Sequence, residues 1–222
     1  MTIARITTQP LDRRRLLGAA GAAVAAGIVR PAPERAATHA TQTGADDQTG
    51  PERLAALLAV LPEDVASDFV VSWADLERQL DAAGLATPDA PDDLDSAFIQ
   101  ATQSLALSSK MFQHANRPEY EETFGFAPVR VTQSLTAGDP GSELTLVRGP
   151  FRERDLVRAW ERSDYTPVET PDGTVWSWAD GPEVDLSSLV SRFGLGALNN
   201  AAILPDDTVV FAPTVDLVAA TL

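Results

Sequence analysis

The sequence predicts an α+β domain: a mixed or antiparallel sheet with helices on one face, preceded by a mainly helical N-terminal portion. Three observations carry that reading. Glu143 to Val147 alternates between polar and apolar residues, as a half-buried strand does. Arg152 to Arg162 repeats its apolar residues at the helical period. Two hairpin signals follow, Asp172-Gly173 and Pro205-Asp206-Asp207, each between short β-rich runs. The order is strand–helix–strand–strand, then strand–strand–helix, which segregates strands from helices instead of alternating them as a parallel sheet requires.

Taken in chain order, Glu52 to Leu61 places Leu54, Leu57, Leu58 and Leu61 at helical spacing, and Pro62 stops that helix. Phe69 to Trp73 is a short β-rich run leading into a helix from about Ala74 to Ala83, with Gly84 as its C-cap. Thr87 to Asp93, rich in Pro and Asp, is a connection, and Leu94 to Ala115 is expected to form one longer helix weakened at Ser108-Ser109. Beyond Phe124 come the strand at 143–147 and the helix at 152–162. Pro167–Glu169 and Val175–Trp178 are expected to pair about Asp172-Gly173, and Leu186–Phe193 to form a short helix. Ala201–Leu204 and Thr208–Phe211 form the second hairpin, and Thr214 caps a helix over Val215–Leu222. A helix of two turns is marginal unless it docks, so either it packs at the sheet edge or the reading frame ends early.

Composition narrows the chemistry. The 222 residues include no Cys and two His, with 44% hydrophobic and 22% charged residues, enough for one medium domain and too apolar for wholesale disorder. Without Cys there are no disulfides, thiolate metal sites, thiol nucleophile or lipid-modified Cys anchor. With His39 and His114 as the only histidines, multi-histidine metal sites are excluded too, and no metal or other cofactor is expected.

Residues 1–40 read as an export signal, 41–51 as a polar, unstructured tether, and 52–222 as one α+β domain whose 52–115 part is helical and whose 124–222 part holds the sheet. The signal has a charged start, an apolar stretch over 16–29 and a proline-bearing end at Arg30-Pro31-Ala32-Pro33. A membrane span needs about 20 apolar residues, so this stretch is short for an anchor, and no stable span is expected after processing. Arg13, Arg14, Leu16 and Leu17 resemble a twin-arginine (Tat) signal, with Arg15 in the variable slot. Asp12 and Gly18 depart from that pattern and leave the Sec route open, but the weakly hydrophobic Ala/Gly stretch suits Tat better. The resemblance implies the Tat machinery as a partner and an extracytoplasmic destination, secreted or in the envelope. Thr38-His39-Ala40 is the nearest approximation to a cleavage site, and His39 belongs to that context.

Removing residues 1–40 takes away six of the 17 basic and two of the 32 acidic residues, leaving 11 and 30 and a net charge of -19. Such a surface repels phosphate backbones and anionic lipid, which argues against nucleic-acid and membrane-surface binding.

Five stretches together resemble an uncharacterised family of exported bacterial proteins. They are Phe124-Gly125-Phe126, Glu143 through Gly149-Pro150-Phe151, Arg158-Ala159-Trp160 through Tyr165, Val175-Trp176-Ser177-Trp178, and Asn199-Asn200 through Phe211. The similarity covers residues 124–212 and consists of structural turns, so it implies a fold unit and no functional residue.

Several constellations invite a chemical reading. Arg154, Arg158 and Arg162 stand at i, i+4 and i+8 with Arg152 at the helix entrance, so one helix face carries a stripe suited to a carboxylate, a phosphate or an acidic partner. Glu153, Asp155 and Glu161 are interleaved with them, and the stripe then simply lies on an acidic surface. Trp176 and Trp178 flank Ser177 and point to one side of a strand, either as a stacking platform or, more in keeping with their size, as core. His114 lies near Glu119, Glu121 and Glu122, a pairing usable for acid–base work but more typical of a helix-end residue. Asp92-Asp93-x-Asp95 lacks the Gly and distal Glu of a calcium loop and reads as helix entry, and Asp206-Asp207 reads as a turn. Gly194-Leu195-Gly196 lacks the third glycine and the preceding strand of a nucleotide loop. There is no Gly-x-Ser-x-Gly elbow, and Ser108 and Lys110 have the wrong spacing for Ser-x-x-Lys.

The sequence therefore predicts an exported, acidic, cysteine-free domain that binds a ligand or serves the envelope, with the balance against catalysis. A secreted hydrolase using a carboxylate pair is the alternative.

Overall fold

The computed structural model describes residues 49–62, 70–86, 111, 114–115, 117–139 and 141–222. The expected export signal, most of the expected tether, Asp92 to Asp95, Ser108 to Lys110 and nearly all of the helix expected over 94–115 lie outside the described residues. The chain divides into two compact units, Met1–Val60 and Leu61–Leu222. In the first, helix α1 (Gly50–Leu58) starts at a capping box: the Glu52 carboxylate accepts from the backbone N–H of Thr49 at 2.7 Å and from its hydroxyl at 3.0 Å. Those bonds hold the Glu52 carboxyl below its usual range.

The second unit is α+β. Among the described residues it has seven strands: β1 (Val70–Asp75), β2 (Gln133–Gly138), β3 (Leu144–Arg148), β4 (Thr166–Thr170), β5 (Gly173–Ser177), β6 (Asn200–Leu204) and β7 (Thr208–Ala212). They form one sheet in the order β1-β2-β3-β7-β6-β5-β4, and every neighbouring pair is antiparallel. The sheet is two meanders joined by a crossover. After β3 the chain runs through helix α4 (Glu153–Arg162) to the far edge, then returns through the β4–β5 hairpin, a long connection over residues 178–199 that carries a helix, and the β6–β7 hairpin, until β7 lies beside β3. The other α-helices among the described residues are α2 (Leu76–Ala83), α3 (Pro118–Phe124), α5 (Leu189–Gly194) and α6 (Val215–Ala219), with a 3₁₀ turn at Pro128–Arg130.

Local chemistry sets the boundaries. Asp75 caps α2 by accepting from the backbone N–H of Arg78 at 3.3 Å, and Gly84 ends it at φ 69°. Asp206 and Asp207, at φ 57° and 52°, are the left-handed residues of the three-residue turn Pro205-Asp206-Asp207 that closes the β6–β7 hairpin. Thr214 caps α6 through Leu217 N–H at 3.3 Å, and that short helix docks against β5, β6 and β7. Pro167, in edge strand β4, has no N–H to offer a further strand, which blunts the edge.

The principal core lies between the sheet and α3, α4 and α5. Val147, Val209, Phe211 and Ala201 from the strands meet Tyr120, Phe124, Leu156, Trp160 and Val190 from the helices. Helix α3 can approach α4 because position 125 is glycine. At φ 82° it ends α3, and a Cβ there would fall 2.6 Å from the Leu156 Cα. The other sheet face carries Leu135, Leu146, Val175, Ala202 and Val210, all fully buried. Leu222 reaches that face, since one of its methyls lies 3.3 Å from where a Cβ on Gly173, on the same side as Val175, would sit.

Besides the 3₁₀ turn at Pro128–Arg130, two described elements were not read from the sequence. Strand β2 is built of Gln133, Ser134, Leu135, Thr136, Ala137 and Gly138, too polar to look like a strand, yet Gln133 and Ser134 are buried. Helix α3 hid behind Glu119, Glu121 and Glu122, although Pro118 at its start, Tyr120 and Phe124 at i, i+4 and Gly125 at its end were all legible.

The start of β6 is the most heavily tied point. The Asn200 side-chain amide donates to the carbonyls of Ala179 (3.0 Å), Pro213 (2.8 Å) and, at 3.4 Å, Ala212. Asn199 donates to Gly181 (2.8 Å) and Glu183 (3.0 Å). Both residues are fully buried. Asn200→Ala is expected to lower unfolding free energy by about 2–4 kcal/mol, since it strands buried carbonyls and removes their donor. Urea denaturation with an unchanged m-value checks this.

Candidate functional site

A groove of about 310 Å³ opens beside the C-terminal end of α5. Its walls come from three places. The first is the end of α5 and the following turn. Leu195, at φ 48°, donates its N–H to the Ser191 carbonyl at 2.8 Å; Gly196 follows at φ 88°; and Ala197 N–H closes back on Gly194 at 3.0 Å. The second is Pro182. Asn199 brackets it by holding the carbonyls on either side, and a Cβ on Gly196 would come within 3.1 Å of the Pro182 backbone. That tight contact and the left-handed backbone of Gly196 both favour glycine there. The third is the β2–β3 turn, where Gly141 (φ 95°) and the Ser142 N–H bonded to the Asp139 carbonyl aim the chain so that Glu143 lines the groove.

His114 completes the site. Its ring meets Phe193 edge-on, with centroids 4.9 Å apart, and stacks on Tyr120 at 6.1 Å. An imidazole N–H donates to the Phe193 carbonyl, which favours the charged form, but burial and the Arg117 guanidinium outweigh it and lower the pKa. The imidazole is therefore mainly neutral at pH 7, with one nitrogen committed to Phe193 and the other an acceptor. Beneath it Tyr120 is fully buried, and burial drives its phenol pKa far above the ordinary value. Tyr165 is raised for the same reason, with Tyr120 adding to the effect, and its hydroxyl donates to the Leu198 carbonyl. Neither phenol is a proton source near neutrality.

Arg192 supplies the groove's cation and Glu143 the one carboxylate among the described residues that line it. Phe193, Leu195, Pro182 and Ala197 make the rest largely apolar. One charge of each sign, a neutral imidazole and an apolar lining suit recognition of a small amphipathic molecule.

Of the residues singled out from the sequence that lie among the described ones, His114 and the Gly194-Leu195-Gly196 run line the groove, and the others fall elsewhere. Arg154, Arg158 and Arg162 do share one exposed face of α4, away from the groove lining. Arg154 pairs with Asp155 at 3.5 Å, a contact between exposed groups worth about 0–1 kcal/mol. Trp176 and Trp178 point to the same side, and that side is the core: both are half-buried against it, with the Trp176 ring 6.0 Å from Trp160. Glu121 and Glu122 are exposed on α3, and Asp206-Asp207 is the hairpin turn. The Gly194-Leu195-Gly196 run follows a helix, as its lack of a preceding strand implied, and forms the groove wall. Glu143, Arg192 and Leu195 were missed as site residues. Glu143 carried the label of a strand residue and Arg192 that of a short amphipathic helix, and no local pattern joins positions 49 residues apart.

Among the described residues no group of three or more His, Asp or Glu is placed to hold a metal ion. No described helix is long and apolar enough to cross a membrane. No family model matches the chain, and no curated protein or solved structure is significantly similar to it.

The lowered His114 pKa fixes a pH dependence. Unfolded imidazole titrates near about 6.5, and the folded group binds its proton only at lower pH. In the window between, the unfolded chain holds more protons, so stability is present above the unfolded value and falls as pH drops towards the folded one. His114→Asn is expected to flatten this loss in the range below about pH 6.5, leaving the carboxylate-driven loss at lower pH. Thermal midpoints of both proteins from pH 7.5 to about pH 5 measure it.

Proposed function

We propose that this chain is exported by the Tat route and acts outside the cytoplasm as a non-catalytic domain that binds a small ligand in the groove between His114, Glu143 and Arg192. The observation that carries the binding reading is the mixture of groups in one cavity: a cation, an anion, a neutral imidazole and apolar walls, all on elements fixed by the fold. The alternative, a hydrolase with paired carboxylates, needs two acids roughly 5–10 Å apart. Glu143 has no carboxylate companion among the described lining residues, which favours binding. Export rests on Arg13-Arg14-x-Leu16-Leu17 and on the acidic surface left once residues 1–40 are removed.

Two measurements test this reading. Changing Arg13 and Arg14 together to Lys is expected to leave the intact polypeptide in the cytosol, whereas unchanged secretion would remove the Tat assignment. Native mass spectrometry of the exported protein is expected to show a co-purifying small molecule. Filling the groove by Ala197→Trp should release it and Arg158→Glu should not, both with thermal midpoints within a few degrees of the parent. Loss on Arg158→Glu alone would move the site to the α4 stripe, and a bound molecule consumed during incubation would favour the hydrolase.

A further inference from the structure

Large apolar side chains are left in water almost entirely in one place. Among the described residues the exposed large hydrophobics are Val184 (49%), Leu186 (66%), Leu189 (36%), Leu195 (68%) and Leu222, and the first four fall within residues 184–195. They are neighbours in space as well as in sequence. Asp185, between Val184 and Leu186, donates its N–H to the Ser191 hydroxyl at 3.0 Å, which lays this segment along α5, and Leu189 opens that helix. The turn after α5 packs on Pro182, since a Cβ at Gly196 would come within 3.1 Å of it, so Leu195 closes the other end of the patch. Single exposed leucines are ordinary, but a contiguous group of them marks a contact surface.

The patch is also rigid. Residues 182–187 are exposed throughout. Even so, Asn199 holds the carbonyls of Gly181 and Glu183, and the Asp185 carboxylate accepts from the Ser187 N–H at 2.9 Å and from its hydroxyl at 2.7 Å. The backbone is thus fixed while the apolar side chains stay outside. Leu195 adds a left-handed backbone at φ 48°, which any Cβ resists, so strain and exposure meet at one residue.

Charge selects what covers such a surface. Asp180, Glu183 and Asp185 lie in the same segment and form no ion pair with a described residue, and the Ser187 bonds keep Asp185 ionised. Arg192 is the one cation in residues 180–196. An anionic membrane is repelled by these acids, and a second copy of the chain would bring the same acids against them.

We propose that residues 180–195 are a docking surface for a partner protein that presents a basic, apolar segment. Its Lys or Arg side chains meet Glu183 and Asp185, and its apolar ones cover Val184, Leu186 and Leu195. Because Pro182 and Leu195 also line the groove, the docked segment lies across the groove mouth. Docking needs no ligand in the groove.

The probe is a fluorescent eight-residue peptide alternating Lys and Leu, titrated into the full chain beside a Lys-Ser and a Glu-Leu counterpart. The Lys-Leu peptide should saturate and shift the amide resonances of Val184, Leu186 and Leu195, leaving that of Leu146 in β3 unmoved. Val184→Ser with Leu186→Ser, and separately Glu183→Gln with Asp185→Asn, should each weaken it at least about tenfold. All these positions are exposed, so thermal midpoints should stay within a few degrees. Asp206→Asn with Asp207→Asn removes as much charge at the opposite end of β6, where asparagine accepts the left-handed turn, and should weaken binding less than about twofold. Equal loss in that control, equal binding of the Lys-Ser or Glu-Leu peptide, or no shift at 184–195 would overturn the docking surface. Sedimentation of the chain alone is expected to show no association that Leu186→Ser abolishes, since such association would give the patch to a second copy. Zwitterionic lipid vesicles that shift the same resonances would give it to a membrane.

Discussion

Two adjacent buried amides hold the second unit to its working shape. Asn199 and Asn200, at the head of β6, direct their Nδ2 groups at five backbone carbonyls belonging to the segment before α5 and to the exit from β7. Four of those carbonyls, of Ala179, Gly181, Glu183 and Pro213, belong to irregular chain with no ladder to join, and a buried C=O without a donor costs about 1–3 kcal/mol. Neither Oδ1 has a partner among the described residues, so the pair is selected for what it donates. An aspartate at either position would reverse the sign of the contact, and a leucine would remove it.

The groove depends on this arrangement. Residues 179–185 have no regular secondary structure of their own, and Pro182 stands where it does because Asn199 holds its two flanking residues. Gly181 adds its own N–H to the Pro213 carbonyl at 2.9 Å, and Asp185 N–H bonds the buried Ser191 hydroxyl at 3.0 Å. One network therefore joins the sheet, the C-terminal helix entrance and α5. It also explains the close packing at Gly196, whose missing Cβ lets the α5 turn and the Pro182 segment approach. The hydrophobic core beneath, with Trp160 and Phe211 at its centre, supplies the rigid floor, while the polar stitching decides where the walls stand.

Most of the sheet was legible because its signals are local. The left-handed turn at Asp206-Asp207, the Gly84 and Thr214 caps and the period of α4 each sit within a few residues and act through backbone preference. Strand β2 was illegible for the opposite reason. Gln133 and Ser134 belong to a strand only because both neighbours cover them, so burial precedes any pattern. The site was harder still. His114 was singled out beside the wrong carboxylates, since its neighbours in the fold are Phe193, Tyr120 and Arg117. The arginine stripe drew attention through its regular spacing, but regular spacing describes a helix face and says nothing about a cavity. Leu195 was discounted within a failed nucleotide motif, although a leucine between two glycines after a helix was itself a sign of a turn that tolerates strain for a reason.

Native-state amide exchange on an Asn199→Ala variant tests most directly whether side-chain amides hold the groove wall. The Gly181 and Asp185 amides are expected to exchange far faster than in the parent, while those of Leu146 in β3 and Val210 in β7 slow or quicken only with overall stability. Equal acceleration throughout the sheet, or unchanged protection at 181 and 185, would contradict it.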